Sequence, residues 1–304
     1  MIGDPTPHRQ RNQPIETVGI IAKTRLDEAA AVVRQVTTWL AERNVKTIVE
    51  SETARHSGLK DQTTCPKDDL PKSSDLLLVL GGDGTLLGVA HRIAAADADV
   101  PVLAVNFGSL GFLTEITLPE LYDALHSVLT GTAGIDERRM LRSQVLRNGT
   151  TTTDRLVLND VVISKAALSS LIELSVSVGD QFVTCCRADG IIVASPTGST
   201  AYNLSLGGPI VHPAVDALLL TPIAPHTLTN RPIVLPTHAP VRIEPALGRP
   251  YVKASISFDG QYGFTLEPGD VITVACAEHT LKVVRADARN YFAVLREKLK
   301  WGER

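Results

Sequence analysis

A glycine-rich loop with a single carboxylate is the first place in this sequence where chemistry can be expected. Residues 81–85 read GGDGT, and an apolar run precedes and follows them. A glycine-rich turn between a strand and a helix lets backbone N–H groups face an anion, most often a phosphate. Asp83 would repel a phosphate unless it takes a proton from an attacking hydroxyl or organises a magnesium ion, and both tasks belong to phosphoryl transfer. A tight turn in which Asp83 caps a helix would use the same residues.

A second stretch combines small hydroxyl residues with an aromatic ring. Residues 195–200 read SPTGST, and their four hydroxyl groups could line a polar pocket. Tyr202 follows closely enough to stack on a flat ring. A loop of ordinary Ser and Thr turns would explain the hydroxyl groups but not the tyrosine. The stretch therefore favours a ligand pocket.

The GGDGT loop lies in a half of the chain where strands and helices alternate. Apolar runs predict strands in TVGIIAK, KTIVES, DLLLVL and PVLAVNF, and helical spacing predicts helices between them up to Gly131. Such alternation is typical of a parallel sheet covered on both faces. We therefore predict a Rossmann-like α/β domain over residues 1–137.

After Arg138 the spacing of apolar residues changes from a helical to an alternating pattern. The expected fold class of the whole chain is therefore α/β plus all-β. Short alternating strands separated by Asn-Gly, Gly-Asp and Asp-Gly pairs predict an antiparallel, β-sandwich-like domain over residues 138–286. Only the residues after Pro196 have a helical pattern there. Residues 287–304 carry an apolar stripe at helical spacing, which predicts a helix that packs back on the first domain.

Composition and charge restrict the class of function. The chain has 304 residues, 44% of them hydrophobic, and a formal net charge of −3, which disfavours nucleic acid as a partner. No apolar run is long enough to cross a bilayer, and residues 1–16 carry no apolar signal region, so we expect a cytoplasmic protein with an N-terminal tail. The four cysteines and the histidines lack metal-ligand spacing, so we expect reduced cysteines and no metal held by the protein alone.

Six motifs, taken together and in this order, resemble those of the NAD kinase family. They are GGDGT at 81–85, NFGSLGFLTE at 106–115, LND at 158–160, PTGSTAYNLSLGGP at 196–209, TPIAPHTLTNRP at 221–232 and DGQ at 259–261. GGDGT also occurs in diacylglycerol-type lipid kinases and 6-phosphofructokinases, whereas PTGSTAY followed by GGP is specific. The resemblance extends from about Thr17 to the C-terminal helix.

The resemblance implies a kinase that transfers the γ-phosphoryl group of ATP to the 2′-hydroxyl of the adenosine ribose of NAD. The product would be NADP, and Mg²⁺ would be bound mainly through phosphates. Asp83 would accept the proton of the hydroxyl, and Gly81, Gly82 and Thr85 would form the phosphate loop. The family also implies NAD and ATP as substrates and a homodimer or homotetramer with shared sites, without membrane partners.

The dinucleotide-binding residues are likewise implied by the positions of the family's motifs. They are Gly84, Asn159, Asp160, Arg187, Asp189, Thr200, Ala201, Tyr202, Asn203, Leu204, Ser205 and Gln261. Asn159 and Asp160 would hold ribose hydroxyls, and Asp189 would bond the nicotinamide end. Residues 200–205 would surround the adenine, with Tyr202 as an aromatic wall.

Three positions bear on how closely this chain follows the family. Asp160 replaces the usual Glu and is one methylene shorter. Gly88 stands where many members carry a basic residue, so His91 or Arg92 would take over a phosphate contact. Arg187 resembles members that favour oxidised NAD over NADH, although an arginine in a strand is often only solvated.

Two other functions remain open on the residues alone. A lipid or sugar kinase could use GGDGT, although it would not need a hydroxyl-rich loop with an aromatic wall, and no basic amphipathic surface helix is present in the sequence. A regulator that binds a dinucleotide without catalysis would gain nothing from Asp83 beside a pyrophosphate. Asn159 and Asp160 could also form a turn at a strand end, because both side chains readily bond their own backbone.

Overall fold

The computed structural model describes residues 14–23, 27–108, 110–166, 170–227, 229–248, 251–285 and 290–301. Residues 1–13 of the expected N-terminal tail lie outside the described residues. The chain divides into two compact units, Met1–Glu137 together with Leu281–Arg304, and Arg138–Thr280.

Eighteen strands and six α-helices are formed by the described residues. The strands are β1 (Thr17–Ala22), β2 (Lys46–Glu50), β3 (Thr63–Cys65), β4 (Leu76–Leu80), β5 (Val102–Asn106), β6 (Ile116–Thr117), β7 (Ile135–Arg147), β8 (Thr150–Val157), β9 (Asp160–Lys165), β10 (Ile172–Val178), β11 (Gln181–Ala188), β12 (Gly190–Ala194), β13 (Leu218–Ile223), β14 (Ile233–Leu235), β15 (Val241–Pro245), β16 (Ala254–Phe258), β17 (Tyr262–Thr265) and β18 (Val271–Val284). The helices are α1 (Asp27–Ala41), α2 (Ser51–Ser57), α3 (Asp83–Ala95), α4 (Leu121–Leu129), α5 (Tyr202–Ser205) and α6 (Tyr291–Leu299). Short 3₁₀ helices cover Leu70–Lys72, Leu118–Glu120 and Thr197–Thr200.

The first unit is built on a parallel sheet with the strand order β3-β2-β1-β4-β5. All five residues of β4 are buried, as expected for a strand covered on both faces. Apolar side chains of the helices pack on the sheet in one cluster that includes Val33, Leu78 and Leu125. The predicted Rossmann-like α/β fold is confirmed.

The strand order of this sheet reverses between β1 and β4. From β1 the chain continues through α1 to β2 on one side, and from β4 it continues through α3 to β5 on the other. In open α/β sheets such a reversal leaves a crevice at the carboxyl ends of the two strands, where ligands commonly bind. The GGDGT loop follows β4 and therefore lies at this crevice.

The second unit is antiparallel and sandwich-like, as predicted. One sheet has the order β14-β13-β12-β9-β16-β17, and the other strands include the order β11-β10-β15-β18 with β7 paired to β8. Apolar side chains from both groups of strands, among them Leu174, Ile243, Val193 and Ile256, form one buried cluster. Alternate residues of the strands point into this core, in agreement with the alternation of apolar and polar residues in the sequence.

The structure differs from the sequence prediction in two helical segments. The helix expected after Pro196 is broken into the 3₁₀ helix Thr197–Thr200 and the single turn α5, because Gly, Ser and Thr are weak helix formers. The C-terminal helix is present as α6, but its apolar stripe is only partly buried: Val294 and Leu295 are buried, whereas Phe292 is 58% exposed. None of the described helices is long and apolar enough to span a membrane.

Candidate active site

The GGDGT loop connects the carboxyl end of β4 to the first turn of α3. Gly81 donates its N–H to Val105 O of the neighbouring strand at 2.9 Å, and Gly82 caps the helix in an extended conformation. A side chain at position 81 would lie 2.6 Å from Thr85 Oγ1, so the glycine permits the tight turn. Asp83 is the first residue of α3, where the helix dipole favours a negative charge.

The carboxylate of Asp83 is held by a turn formed by residues 112–114. Its Oδ2 accepts the N–H of Phe112 at 3.0 Å, and its Oδ1 accepts the N–H groups of Leu113 at 3.2 Å and Thr114 at 3.0 Å. The hydroxyl of Thr114 donates a fourth bond to Oδ1 at 2.8 Å. Together these four hydrogen bonds fix the orientation of the carboxylate.

Gly111 explains why the chain can fold so closely around the carboxylate. A side chain at this position would overlap Asp83 Oδ1 and Thr114 Oγ1. Gly111 also donates its N–H to Thr114 O at 3.2 Å, which closes the turn. Residues 111–114 (GFLT) of the NFGSLGFLTE motif therefore hold the carboxylate of the GGDGT loop, although they follow Asp83 by about thirty residues in the sequence.

Two basic residues of the first unit bear on phosphate binding: Lys23, which follows β1, and Arg92, which lies on α3. Lys23 follows β1, donates its N–H to Leu80 O at 2.9 Å, and has an exposed side chain. Arg92 bonds the carbonyl of Gly88 and pairs with Asp68 at 3.0 Å. Arg92, which with His91 is one of the two candidates for the missing phosphate contact, is thus engaged by Gly88 and Asp68, whereas the sequence pattern does not single out Lys23.

The second unit contains a cavity of about 440 Å³. Its lining consists of Asn159, Asp160, Val162, Ser164, Ala201, Tyr202, Ser257, Asp259 and Gly260. Alternate residues of β9 line the cavity, because side chains at every second position of a strand share a face. Four predicted site residues, Asn159, Asp160, Ala201 and Tyr202, are brought together here.

Asp259 holds the backbone before β9 in place. Its Oδ1 accepts the N–H groups of Asn159 at 2.7 Å and Asp160 at 2.9 Å, and its Oδ2 accepts that of Leu158 at 2.8 Å. The residue is buried and has a positive φ of 50° in the turn after β16. The sequence predicts a hairpin turn at Asp259-Gly260, within the DGQ motif, but no local pattern indicates hydrogen bonds to residues about a hundred positions earlier.

Asp160 is a buried carboxyl group in the wall of the cavity. Burial, and secondly the charge of Asp259, raise its pKa from 3.8 to about 7. A protonated carboxyl group can donate as well as accept a hydrogen bond. Beside it, the buried Oδ1 of Asn159 has no hydrogen-bond partner within the described part of the chain. The pair therefore offers a ligand both a donor and acceptors, which suits a diol.

The raised pKa of Asp160 predicts a pH-dependent stability. Because the folded state holds the proton up to about pH 7 and the unfolded state releases it near pH 4, the free energy of unfolding should fall as the pH rises through this range. Asp160→Asn should remove this part of the slope and stabilise the protein at pH 8 by up to about 4 kcal/mol. Urea unfolding of both proteins at pH 5 and pH 8 measures the effect. If the free energies of unfolding of the two proteins differed by the same amount at pH 5 and pH 8, the raised pKa of Asp160 would be contradicted.

The hydroxyl-rich stretch contributes less to the cavity wall than the sequence suggested. Ser195 is fully buried, and its hydroxyl donates to Leu158 O and accepts the N–H of Gly198 at 3.0 Å. Ser199 is also fully buried and bonds the backbone of Val211. The Ser195 hydroxyl thus holds the turn against Leu158 of the LND motif, and that of Ser199 holds it against Val211, while Ala201 and Tyr202 line the cavity.

Asn203 is a buried residue that stabilises this turn from within. Its Nδ2 donates to Ser199 O at 3.0 Å and Pro209 O at 3.1 Å, and its Oδ1 accepts the hydroxyl of Thr221 at 2.7 Å. A side chain at Gly208 would overlap the amide, so the GGP glycine leaves room for it. The remaining predicted residues of this stretch, Thr200, Leu204 and Ser205, are partly buried or exposed and lie outside the cavity lining.

Three further predicted residues also lie outside the lining of the cavity. Asp189 pairs with Lys165 at 3.0 Å just before β12. Arg187 is exposed on β11, and its carbonyl accepts the N–H of His226. Gln261 is exposed after the Asp259 turn. Their proposed contacts with a dinucleotide stay predictions.

The described residues show neither a metal-ligand cluster nor a disulfide. No group of three His, Cys, Asp or Glu side chains there is arranged to hold a metal ion. Cys65, Cys185, Cys186 and Cys276 are free thiols. Burial is the main cause that raises the pKa of each, so the thiolate forms are disfavoured.

Both halves of the chain match models of one protein family. Residues 18–133 match the ATP-NAD kinase N-terminal domain, and residues 158–286 match the ATP-NAD kinase C-terminal domain. The match therefore includes the GGDGT loop, the turn that holds Asp83, and all the residues that line the cavity.

Several curated proteins and solved structures are similar over nearly the whole chain. The NAD kinase of Geotalea daltonii is 44% identical over 95% of this chain and all of its own, and that of Ralstonia nicotianae is 41% identical over 98% and 97%. A crystal structure of yeast NADH kinase complexed with NADH has a TM-score of 0.88 at 28% identity, covering 96% of this chain and 89% of its own. An NAD kinase from Archaeoglobus fulgidus in complex with ATP shares the fold, with a TM-score of 0.73 at 22% identity over 92% of this chain and 99% of its own.

Proposed function

This chain belongs to the ATP-NAD kinase family and is an ATP-dependent kinase that phosphorylates NAD, and we propose that Asp83 is the residue that accepts the proton in this reaction. The reaction joins the γ-phosphoryl group of ATP to the 2′-hydroxyl of the adenosine ribose of NAD and yields NADP and ADP. One observation carries the assignment: a carboxylate is held rigidly at the carboxyl edge of a parallel sheet, at the start of a helix. That position suits a group that must meet a hydroxyl beside phosphates.

The chemical task of Asp83 is limited, because phosphoryl transfer has a loose transition state. Most of the catalysis then comes from holding the hydroxyl and the phosphate in line and from screening their charge. Asp83 takes the proton as the bond between the ribose oxygen and the γ-phosphorus forms. Its orientation by the 112–114 turn supports this task, since an oriented base loses no freedom when the substrate arrives.

We propose that the dinucleotide binds in the cavity of the second unit. Asn159 and Asp160 hold the ribose hydroxyls through the amide and the buried carboxyl group, and Tyr202 stacks on the adenine. The hydrogen bonds from Asn159 N and Asp160 N to Asp259 fix the backbone that carries the short side chain of Asp160, which supports this role. Gly84, which has no side chain and is exposed on α3, would let the dinucleotide approach the GGDGT loop.

We propose that the triphosphate of ATP binds at the crevice between β1 and β4. The backbone N–H of Gly82, the hydroxyl of Thr85 and the first turn of α3 would serve as donors there. Gly81, whose N–H is bonded to Val105 O, would form the tight turn of this phosphate loop, and the exposed side chain of Lys23 follows the neighbouring strand. Cations and helix N-termini stabilise phosphate charge. Mg²⁺ would be bound mainly through the phosphates, and it would screen their charge.

The direct test of the proposed function is NADP formation by the purified protein from NAD, ATP and magnesium. Parallel reactions with NADH, with inorganic polyphosphate and with a diacylglycerol separate the acceptor and donor classes. NADP formed from NAD and ATP supports the assignment. Binding of NAD without turnover would instead favour a dinucleotide-binding regulator, and phosphorylation of the diacylglycerol would favour a lipid kinase.

Tyr202→Ala should weaken NAD binding more than it slows turnover. The ring is 45% exposed at the wall of the cavity, and a base stacked on an aromatic ring gains about 1–3 kcal/mol. We therefore expect the KM for NAD to rise by about tenfold or more, with kcat changed by less than about threefold. Steady-state kinetics of the unmodified enzyme, of Tyr202→Ala and of Tyr202→Phe, which keeps the ring, measure the separate effects on KM and kcat. A fall in kcat without a change in KM would contradict the stacking role.

We also propose that the enzyme is a homodimer or homotetramer of the cytoplasm with sites shared between subunits. The exposed side chains of Phe182 and Val183 on β11, at one end of the strand order, support an interface with another copy, because large exposed apolar groups on an edge strand favour pairing. The free cysteines support a reducing compartment. Size-exclusion chromatography with light scattering measures the oligomeric state. A monomer at the concentration used in the activity assay would contradict the proposed oligomer.

A further inference from the structure

The two carboxylate oxygens of Asp83 are in different surroundings. Oδ1 accepts three hydrogen bonds, from Leu113 N, Thr114 N and Thr114 Oγ1. Oδ2 accepts one hydrogen bond from the described residues, the N–H of Phe112 at 3.0 Å. A carboxylate oxygen has about two lone-pair sites. Oδ2 therefore keeps capacity to accept another hydrogen bond, and Oδ1 does not.

Thr114 receives a hydrogen bond as well as giving one. Asn106, the last residue of β5, donates from Nδ2 to Thr114 Oγ1 at 3.0 Å. The orientation of this amide is set by its other end, because Asn106 Oδ1 accepts the N–H of Gly108 at 3.0 Å. With the Asn106 donor on one side, the single hydroxyl proton of Thr114 is directed to Asp83.

We propose that Asn106 and Thr114 are positioning residues that occupy Oδ1 of Asp83 and leave Oδ2 as the oxygen that accepts the ribose proton. The inference rests on the proposed role of Asp83 as the proton acceptor. In the reacting complex the proton of the 2′-hydroxyl moves to Oδ2, and the ribose oxygen forms its bond to the γ-phosphorus. The bond from that phosphorus to the oxygen bridging to the β-phosphorus breaks, and its electron pair leaves on ADP.

The chain Asn106–Thr114–Asp83 is built for orientation and not for substrate contact. Thr114 is fully buried, with an exposed fraction of 0%, so a ligand does not reach its hydroxyl. Asn106 is attached to the end of a buried parallel strand, which gives the chain a rigid support. Loss of the Thr114 hydroxyl leaves only the backbone N–H groups of residues 112–114 on the carboxylate. We expect the carboxylate then to be oriented less narrowly, which lowers the fraction of molecules in which Oδ2 faces the hydroxyl. Small displacements of a reacting group can lower a rate by about a hundredfold.

Thr114→Val tests the inference, because valine keeps the shape of threonine and removes the hydroxyl group. We expect kcat to fall by about tenfold or more while the KM values for NAD and ATP change by less than about threefold. Thr114→Ser, which keeps the hydroxyl, should restore kcat to within about threefold of the unmodified enzyme. Asn106→Ala should lower kcat in the same direction, and the double variant Asn106→Ala/Thr114→Val should be no slower than Thr114→Val alone, since the two residues act in series.

A second double variant separates failure of this inference from failure of the proposed function. Asp83→Asn/Thr114→Val should turn over no more slowly than Asp83→Asn, because Thr114 acts only through Asp83. If Asp83→Asn keeps most of the activity, the role of Asp83 itself is wrong. If Asp83→Asn is inactive but Thr114→Val turns over normally, or if serine fails to rescue, only the positioning inference is overturned. Thermal unfolding is measured for every variant, and Asn106→Ala, at a partly buried position, carries the test if Thr114→Val does not fold.

Discussion

Replacing Asp83 with asparagine is expected to lower kcat for NADP formation by at least about a hundredfold, the lower range for the loss of an acid–base group. The amide cannot take the hydroxyl proton, and its NH₂ group would face one of the N–H donors of the 112–114 turn. Because Asp83 acts on the reacting hydroxyl and not on the rest of the dinucleotide, NAD affinity should stay within about threefold. Initial rates and equilibrium binding of NAD to the same preparation measure both quantities.

A matched control is available in the first turn of another helix. Asp123 lies in the first turn of α4 with an exposed side chain, so Asp123→Asn removes the same charge from the same kind of position. Its kcat should remain within about twofold of that of the unmodified enzyme. An Asp83→Asn protein that keeps most of its activity would remove Asp83 from the proton transfer, and a large loss in the control would point to a general charge effect.

Replacing Asp259 with asparagine should damage both the stability of the second unit and the binding of NAD. Asparagine keeps the positive φ of the turn at low cost, but it can place only one oxygen where two carboxylate oxygens now accept three backbone N–H groups. A buried N–H left without an acceptor costs about 1–3 kcal/mol, and the charge-assisted bonds add to this. We expect a loss of about 3 kcal/mol in the free energy of unfolding and a rise of about tenfold or more in the KM for NAD.

The control for this substitution is an aspartate in an exposed hairpin turn. Asp180, beside Gly179 in the turn between β10 and β11, is exposed. Asp180→Asn should therefore leave stability within about 0.5 kcal/mol. Urea unfolding and NAD kinetics are measured for both variants. If Asp259→Asn matched Asp180→Asn in both measurements, the three hydrogen bonds would not determine the shape of the cavity.

The sequence predicted the GGDGT loop and its supporting elements well, because these depend on local patterns. A buried run such as β4 followed by glycines and an amphipathic segment is sufficient to place Asp83 between a strand and a helix. The turn that holds its carboxylate comes about thirty residues later and depends on how β5 ends, so no local pattern indicates it. The same holds for Asp259, whose hydrogen bonds reach back to Leu158 across about a hundred residues.

The hydroxyl-rich stretch shows a different limit of sequence interpretation. Composition indicates that Ser195 and Ser199 need polar partners, but it does not distinguish a ligand from the protein's own backbone. Their partners are backbone groups, and both side chains are fully buried. Lys23 shows the converse, since a lysine after a strand is ordinary in sequence and becomes noteworthy only when strand order puts it beside the GGDGT loop.

The chain's return to the first unit through β18 has a consequence for its synthesis on the ribosome. Val283 of β18 pairs with Val102 of β5, Lys282 bonds Asp99 at 2.6 Å, and Lys298 of α6 lies 5.7 Å from the ring of Phe112, in the turn that holds Asp83. The first unit therefore lacks part of its sheet and a neighbour of its catalytic turn until residues 281–301 have been translated. A nascent chain halted at residue 280 would contain the entire GGDGT loop and cavity, yet its first unit could not reach the native state without the segment still to come.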